Sequence, residues 1–243
     1  MLPSDFDALQ IVAILSLFAP WLFYSLILNT ISRGSLNRQL STVRRQWLKL
    51  SVRRTQKPFD AILLGHIVNS VSFFGSATMI VMAGLATLFV NVKSVYSTTT
   101  ELLLPNTSSL ALFVIHVVVL TVILTLSFFS FTYALRKMIY VLALIGALPE
   151  GDLEDHADVC RDEMVDSAAI VLSEALVTFN FGIRGYYYAV ASLGLFVSPW
   201  LCTGLSATMT AILIYRQIGT RTSAAVQTYV DLSSKSEQHV ASK

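Results

Sequence analysis

Six polar residues lie inside or beside long apolar stretches of the chain, where a polar side chain is costly. They are His66, Asn69, Arg136, Lys137, Asn180 and Arg184. Polar groups at membrane depth usually face a bundle interior or a wet cavity, and they often mark a ligand site. Arginine presents a planar fork of donors that suits a carboxylate or phosphate, and a nearby asparagine can orient such a group. The six residues predict a polar, net-positive vestibule for an anion or a lipid phosphate.

The same side chains also fit a structural interpretation. Arg136 and Arg184 would then extend to the membrane–water interface as topology anchors. Glu174 could pair with a basic residue on a neighbouring helix, such as Arg136. His116 stands alone in the third apolar stretch, where a hydrogen bond to a neighbouring helix is favoured over a proton relay.

Membrane-spanning helices must position these residues. Four stretches contain no Asp, Glu, Lys or Arg, and they cover residues 8–32, 61–92, 102–135 and 185–215. About 20 helical residues cross a hydrocarbon core that is roughly 30 Å thick, and every stretch is longer than that. Apolar residues make up 54 % of the chain and charged residues only 13 %. The predicted fold class is an all-α, polytopic helical membrane protein.

The charges divide by sign along the chain, although the net charge is only +2. Basic residues are concentrated at 33–57 and acidic residues at 149–166. Cytoplasmic loops are rich in Lys and Arg, so the basic segment is placed inside and the N-terminus outside. The polar loop 93–109 is then also outside. Both charged segments lie in the cytoplasm in this topology, so they could pair with each other.

The fourth apolar stretch is too long for one crossing. A single helix over 185–215 would be about 47 Å long, and Arg184 and Arg216 at its ends would face opposite sides of the membrane. Proline disfavours helix at the preceding residue and Trp prefers the interface, so a break is predicted at Pro199 and Trp200. Five spans result, with four as the alternative, and the C-terminus is cytoplasmic.

Several helices are predicted to extend beyond the bilayer. An apolar stripe with steps of three and four residues predicts one long helix over 162–197. The third span is expected to continue through 138–148 into the cytoplasm. The basic segment 33–57 contains an amphipathic helix that suits a membrane surface with anionic lipids. The domain organisation is then one helical membrane domain over 1–219 and a polar, loosely ordered tail over 220–243.

Three separated blocks of sequence carry a family resemblance. They are NSVSFFGSAT at 69–78, FTYALRK at 131–137 with IGALP at 145–149, and FNFGIRGYYY at 179–188 followed by Pro199-Trp200. Together, and in this order, they resemble the bacterial and plant membrane proteins grouped as domain of unknown function 599 (DUF599). The resemblance implies a helical protein of the inner membrane and carries no assigned activity.

Three functional hypotheses follow. The first is a small oligomeric transporter or channel-like protein with a cytoplasm-facing vestibule. The second is a non-catalytic scaffold or lipid-binding subunit of a larger complex. A lipid-modifying enzyme is less favoured, because the sequence has no Gly-rich phosphate loop, His-Glu-x-x-His motif or nucleophile elbow. We expect a bacterial inner-membrane location and contact with the lipid bilayer, including anionic lipids, with a homo-oligomer or protein partner. No nucleic acid, cofactor, metal or catalytic residue is expected.

Overall fold

The computed structural model describes residue 3 and residues 5–31, 36–54, 58–102, 109–149 and 155–241. All regular secondary structure in these ranges is helical, without a β-strand. The helices there are α1 Ala8–Leu22, α2 Tyr24–Ile31, α3 Leu36–Arg53, α4 Pro58–Val90, α5 Val92–Leu102, α6 Leu110–Gly146, α7 Asp155–Ser192, a 3₁₀ turn Leu193–Phe196, α8 Pro199–Ile218 and α9 Arg221–Ala241. The all-α prediction is confirmed.

By length and composition, three helices in the described ranges are able to cross a membrane. They are α4, α6 and the stretch Cys160–Phe196, and the pair α1–α2 adds a fourth if it crosses as one bent span. Large apolar side chains such as Ile80 and Val90 on α4 are mostly exposed. A continuous apolar surface is stable only against lipid or another protein. These helices support the prediction of a membrane protein.

A break interrupts the fourth apolar stretch where the sequence predicts it. The long helix predicted over 162–197 is α7, which covers Asp155–Ser192. The next helix, α8, starts at Pro199. Proline suits the first helical position because an N–H there has no intrahelical partner. The hydroxyl of Ser198 accepts a hydrogen bond from the amide of Leu201 at 3.1 Å and so caps α8. The extension of α6 through 138–146 is also confirmed.

The first apolar stretch is bent, which the sequence analysis does not anticipate. α1 and α2 meet at Phe23, and their axes differ by 66°. Pro20 lies in the last turn of α1 and has no N–H to donate to the carbonyl of Ser16. The hydroxyl of Ser206 on α8 donates to that carbonyl instead. The bend places Tyr24 at the first position of α2.

Two compact units divide the chain. The first comprises Met1–Ile27, Phe73–Phe131 and Asn180–Ile212, and the second comprises Leu28–Ser72, Thr132–Phe179 and Leu213–Lys243. The core of the first unit includes the fully buried aromatic side chains of Trp21, Phe131 and Tyr188. The single membrane domain over 1–219 stays a prediction.

The basic amphipathic segment forms α3, and protein covers part of its apolar surface. Leu48 is 1 % exposed, in a core with Leu64 of α4, Met138 of α6 and Leu172 of α7. Trp47 packs against the same core. Leu50, which the sequence places on the same apolar face as Trp47, is 52 % exposed. The predicted contact of α3 with anionic lipids stays a prediction. Amphipathicity shows only that one face avoids water, and a protein core satisfies this as well as lipid does.

Basic side chains of α3 pair with acidic side chains of α7. Arg45 makes a two-point ion pair with Asp166, and Lys49 Nζ lies 3.1 Å from Asp162 Oδ2. The predicted pairing of the two charged segments is confirmed at these positions. Parts of both segments, at 32–35, 55–57 and 150–154, lie outside the described residues.

Two segments expected to lack regular structure contain helices. α5 occupies much of the predicted loop 93–109, of which 103–108 lie outside the described residues. α9 occupies most of the predicted tail and packs against α3. Polar composition alone does not predict these helices, because packing against a neighbour supplies most of a helix's stability.

Candidate functional site

Close packing of α7 fixes the position of Arg184 in the first unit. A Cβ on Gly182 would lie 2.6 Å from a ring carbon of Phe131, and one on Gly185 would lie 1.9 Å from Ser127 Oγ. Small residues of this kind let two helix backbones approach each other closely. The contact with α6 sets the rotation of α7 about its axis, and with it the direction of the Arg184 side chain, which is 8 % exposed.

Two aromatic rings lie against the guanidinium of Arg184. Its Cζ is 4.4 Å from the centre of the Tyr24 ring and 5.9 Å from that of Phe181. Phe181 is held by Trp21, whose ring stacks on it at 4.9 Å between centres and whose Nε1 donates to its carbonyl at 3.0 Å. A desolvated cation over a ring gains about 2 kcal/mol. The rings stabilise the cation without neutralising its charge.

No acidic side chain among the described residues neutralises Arg184. No carboxylate oxygen of these residues lies within 4.0 Å of its guanidinium. Its Nε is buried and has no hydrogen-bond partner among them. A buried donor without an acceptor costs about 1–3 kcal/mol, and a charged one costs more. The donor fork therefore suits an anion, which would supply both the acceptor and the counter-charge.

Asn180 lies one helical turn before Arg184. It is half-buried, and its side chain makes no hydrogen bond to a described residue. Residues four positions apart are neighbours on a helix surface, with about 5–6 Å between their Cβ atoms. Asn180 and Arg184 can therefore reach the same ligand.

Lys137 belongs to the second unit and has several partners there. Its Nζ donates to Thr178 Oγ1 at 2.8 Å and lies 3.5 Å from Glu174 Oε2. The sequence predicts that Glu174 pairs with a basic residue on a neighbouring helix, such as Arg136, and Lys137 of α6 is that residue. In the structure, Arg136 Nε instead donates to the hydroxyl of Tyr140 at 2.8 Å. Successive helical residues differ by about 100° around the axis, so Lys137 faces α7 and Arg136 does not.

His66 and Asn69 lie on an exposed face of α4 in the second unit, and their side chains make no hydrogen bond to a described residue. No hydrogen bond or ion pair joins any two of the four predicted residues of the second unit, namely His66, Asn69, Arg136 and Lys137. The vestibule formed by all six stays a prediction.

His116 is part of a buried polar pair. Its Nε2 lies 3.1 Å from Oε1 of Gln10, and both side chains are buried. The two residues belong to α6 and α1 of the first unit. The predicted hydrogen bond from His116 to a neighbouring helix is confirmed.

The aromatic residues around Arg184 are not predicted from the sequence. Trp21 and Tyr24 are three positions apart in the first apolar stretch, and Phe181 is three positions before Arg184. A spacing of three places such residues on one helix face. This pattern is the sequence signal that indicates an aromatic face on each helix. The contact between Trp21 and Phe181 is not predictable from this spacing, because the two residues are 160 positions apart in the chain.

The chemistry available at Arg184 is electrostatic binding of an anion. In the described ranges, no group of three or more His, Cys, Asp or Glu side chains is placed to hold a metal ion. The aromatic walls exclude water and so strengthen any charge interaction at the guanidinium.

Comparison with known proteins places the chain in a family. No curated protein and no solved structure matches it. A family model matches residues 12–222, a range that contains Trp21, Tyr24, Asn180 and Arg184. Because the match covers most of the chain, this protein belongs to the family described as "Protein of unknown function, DUF599".

Proposed function

We propose that this membrane protein is a small transporter or channel-like protein in which Arg184 binds an anionic substrate. The observation that supports this most directly is the buried guanidinium, which lies near two aromatic rings and has no carboxylate partner among the described residues. Ionised groups in apolar helices are costly, and they are retained where they serve a ligand or an ion path.

The substrate is proposed to carry a carboxylate or a phosphate group. Both present two oxygens at the spacing of the guanidinium fork, which gives paired, charge-assisted hydrogen bonds. The side-chain amide of Asn180 can donate to a further oxygen of the same group. Lysine would supply the charge without this planar geometry, so the arginine itself is expected to matter.

The proposed topology has five spans, with the N-terminus outside and the C-terminus in the cytoplasm of a bacterial cell. The break before α8 supports it, because α8 is 20 residues long and can extend about 30 Å. α8 is not among the described helices that are apolar enough to cross, so the fifth span is proposed from its length alone. In this topology the vestibule predicted from the sequence opens to the cytoplasm, and the protein is proposed to lie in the inner membrane as a homo-oligomer.

Flux through purified protein tests the proposal. The full chain is reconstituted into phosphatidylcholine vesicles, and uptake of radiolabelled acetate and of radiolabelled phosphate is measured. We expect uptake of at least one anion above that of protein-free vesicles. Arg184→Gln should lower it at least tenfold, since loss of a charged hydrogen-bonding partner costs about 1.5–3 kcal/mol.

Two further variants make the flux result specific. Arg184→Lys keeps the charge and is expected to retain less than half of the uptake. Arg221→Gln removes an exposed arginine outside the predicted vestibule and should leave uptake unchanged. Equal uptake by wild type and Arg184→Gln, with both proteins folded, would remove Arg184 from the transport mechanism.

A lipid-binding scaffold is the second candidate, and a groove in the second unit supports it. The groove has a volume of about 610 Å³ and is lined by Arg38 and Arg45 and by hydroxyls that include Ser41 and Ser173. Guanidinium and hydroxyl groups together suit a phosphate headgroup. Arg45 is already paired with Asp166, which weakens this candidate relative to the first.

Native mass spectrometry separates the two candidates. A scaffold predicts retained phosphatidylglycerol that is lost in Arg38→Gln and kept in Arg184→Gln. A transporter predicts a bound anion that is lost in Arg184→Gln and kept in Arg38→Gln. The same spectra give the number of copies in the assembly and any co-purifying protein.

A further inference from the structure

A second cavity lies in the second unit, apart from Arg184. It has a volume of about 310 Å³ and lies between the end of α3, the start of α4 and the end of α6. Its walls are mostly apolar and include Leu64, Leu142 and Ile145, while Ser51 and Asp60 supply polar groups. Small-molecule sites begin at about this volume, and they combine apolar walls with a few placed polar atoms.

Asp60 lacks one hydrogen-bond donor. Its Oδ1 accepts from Trp47 Nε1 at 2.6 Å and from Arg54 Nη1 at 2.9 Å. Its Oδ2 is buried and has no partner among the described residues. Asp60 is 8 % exposed, so bulk water does not freely satisfy this oxygen. A buried acceptor in this state costs about 1–3 kcal/mol.

The missing donor is best supplied by a neutral group. Arg54 already balances the charge of the carboxylate at 2.9 Å, and it would repel a second cation beside it. An O–H donor forms a short, charge-assisted hydrogen bond to a carboxylate oxygen. Water alone is a poor occupant, since about ten molecules at ~30 Å³ each would have to lie against apolar walls.

We propose that this cavity binds the hydroxyl end of an uncharged amphiphile. The ligand O–H donates to Asp60 Oδ2, and its hydrocarbon part packs against Leu64, Leu142 and Ile145. Two sources share this chemistry, namely the free hydroxyl of a diacylglycerol and a free long-chain alcohol. The proposal does not depend on anion binding at Arg184.

Photolabelling with an octanol that carries a diazirine tests the site. The full-chain protein in detergent is irradiated with this probe and the labelled peptides are mapped. We expect label on the peptides that contain Leu64 and Leu142. Octanol should compete for labelling at least tenfold better than octyl methyl ether, which has the same chain and no donor, because one charge-assisted hydrogen bond is at stake.

Two variants and a control decide the assignment. Asp60→Asn keeps an oxygen for Trp47 and Arg54 and places an NH₂ group where Oδ2 stands. This group donates to an ether oxygen as well as to a hydroxyl oxygen, so the preference for octanol over the ether should be lost. Gly146→Leu should block the cavity, since a Cβ there meets no atom within 4 Å and the side chain has room to enter. Asp162→Asn removes a carboxylate elsewhere in the unit and should leave labelling unchanged.

The two sources are separated by mass spectrometry of the protein extracted gently from its membrane. A retained diacylglycerol that is absent from Gly146→Leu assigns the lipid, and octanol-specific labelling without such an adduct assigns a free alcohol. The proposal is overturned if the ether competes as well as octanol. A tenfold preference for octanol that persists in Asp60→Asn, or no label on the two peptides, overturns it equally.

Discussion

The guanidinium of Arg184 lies over the ring of Tyr24, with 4.4 Å between Cζ and the ring centre. Tyr24 is the first residue after the bend between α1 and α2, and Arg184 follows Gly182, where α7 contacts Phe131 of α6. The arginine is therefore fixed by two local features, a bent helix and a glycine contact, and each can be tested separately.

Tyr24 and Arg184 are expected to be energetically coupled. Tyr24→Leu removes the ring, and Arg184→Gln removes the cation, so the double variant should be less destabilised than the sum of the single variants. The expected coupling is about 0.5–2 kcal/mol. Unfolding of the four proteins in detergent measures it, and Tyr24→Phe, which keeps a ring, should retain most of the coupling. Additive effects would show that the ring does not stabilise the cation.

Gly185→Ala should destabilise the first unit. The added Cβ would lie 1.9 Å from Ser127 Oγ and 2.8 Å from Trp21 Cζ2, so α7 must move. Overpacking of this kind costs about 1–3 kcal/mol. Gly84→Ala is the matched control on α4, because a Cβ there meets no atom within 4 Å. It should be neutral or stabilising by up to about 1 kcal/mol, owing to helix propensity. The thermal midpoints of unfolding of Gly185→Ala and Gly84→Ala are compared. Equal midpoints would argue against the close contact between Gly185 and Ser127.

Gln10 and His116 should behave as a structural pair. Gln10→Met leaves the buried His116 Nε2 without its partner at 3.1 Å, and this should cost about 1–3 kcal/mol. Adding His116→Phe should recover part of that loss, because both polar groups are then replaced. If anion flux in vesicles, corrected for folded protein, fell with Gln10→Met alone, a functional role for His116 would replace the structural one.

Variants of Leu48 and Leu50 test whether α3 packs on the protein through Leu48. Leu48 is 1 % exposed and Leu50 is 52 % exposed. Leu48→Ala should therefore destabilise the second unit by about 2–5 kcal/mol, while Leu50→Ala stays within about 0.5 kcal/mol. Urea unfolding in detergent measures both. Similar losses in the two variants would contradict the packing of α3 on α4, α6 and α7.

Asp5 should make the first unit sensitive to acid. Its Oδ2 accepts from the amide of Ser109 at 2.6 Å and its Oδ1 from the hydroxyl at 3.0 Å, and Ser109 in turn caps α6. The bond from the Ser109 amide is the main cause that lowers the pKa of Asp5 below its ordinary value. Such a carboxylate stabilises the fold above its unfolded pKa of about 3.9 and loses this contribution as pH falls through the folded pKa.

The measurement is the thermal midpoint of wild type and Asp5→Asn between about pH 6 and about pH 2. Wild type should have the higher thermal midpoint at about pH 6, and the midpoints of the two proteins should converge at about pH 2. A constant difference across the range would show that ionisation of Asp5 is not involved.

The sequence by itself determined the membrane character of the chain and the break before α8. Both follow from local properties, namely the length of the uncharged stretches and the backbone limits of Pro199. It also singled out Arg184, because an arginine at the edge of an apolar stretch is unusual wherever the helices lie.

Only the tertiary structure decided what Arg184 contacts and where α3 packs. The absence of a described carboxylate beside Arg184, and the presence of Tyr24, depend on contacts between residues far apart in the chain. An apolar side chain of α3 could be covered by lipid or by protein, and the core shows that protein covers Leu48. The unsatisfied Oδ2 of Asp60 is visible only once three helices enclose it. Hydrophobic patterning states which face is buried, while the identity of the covering group is a property of the assembled fold.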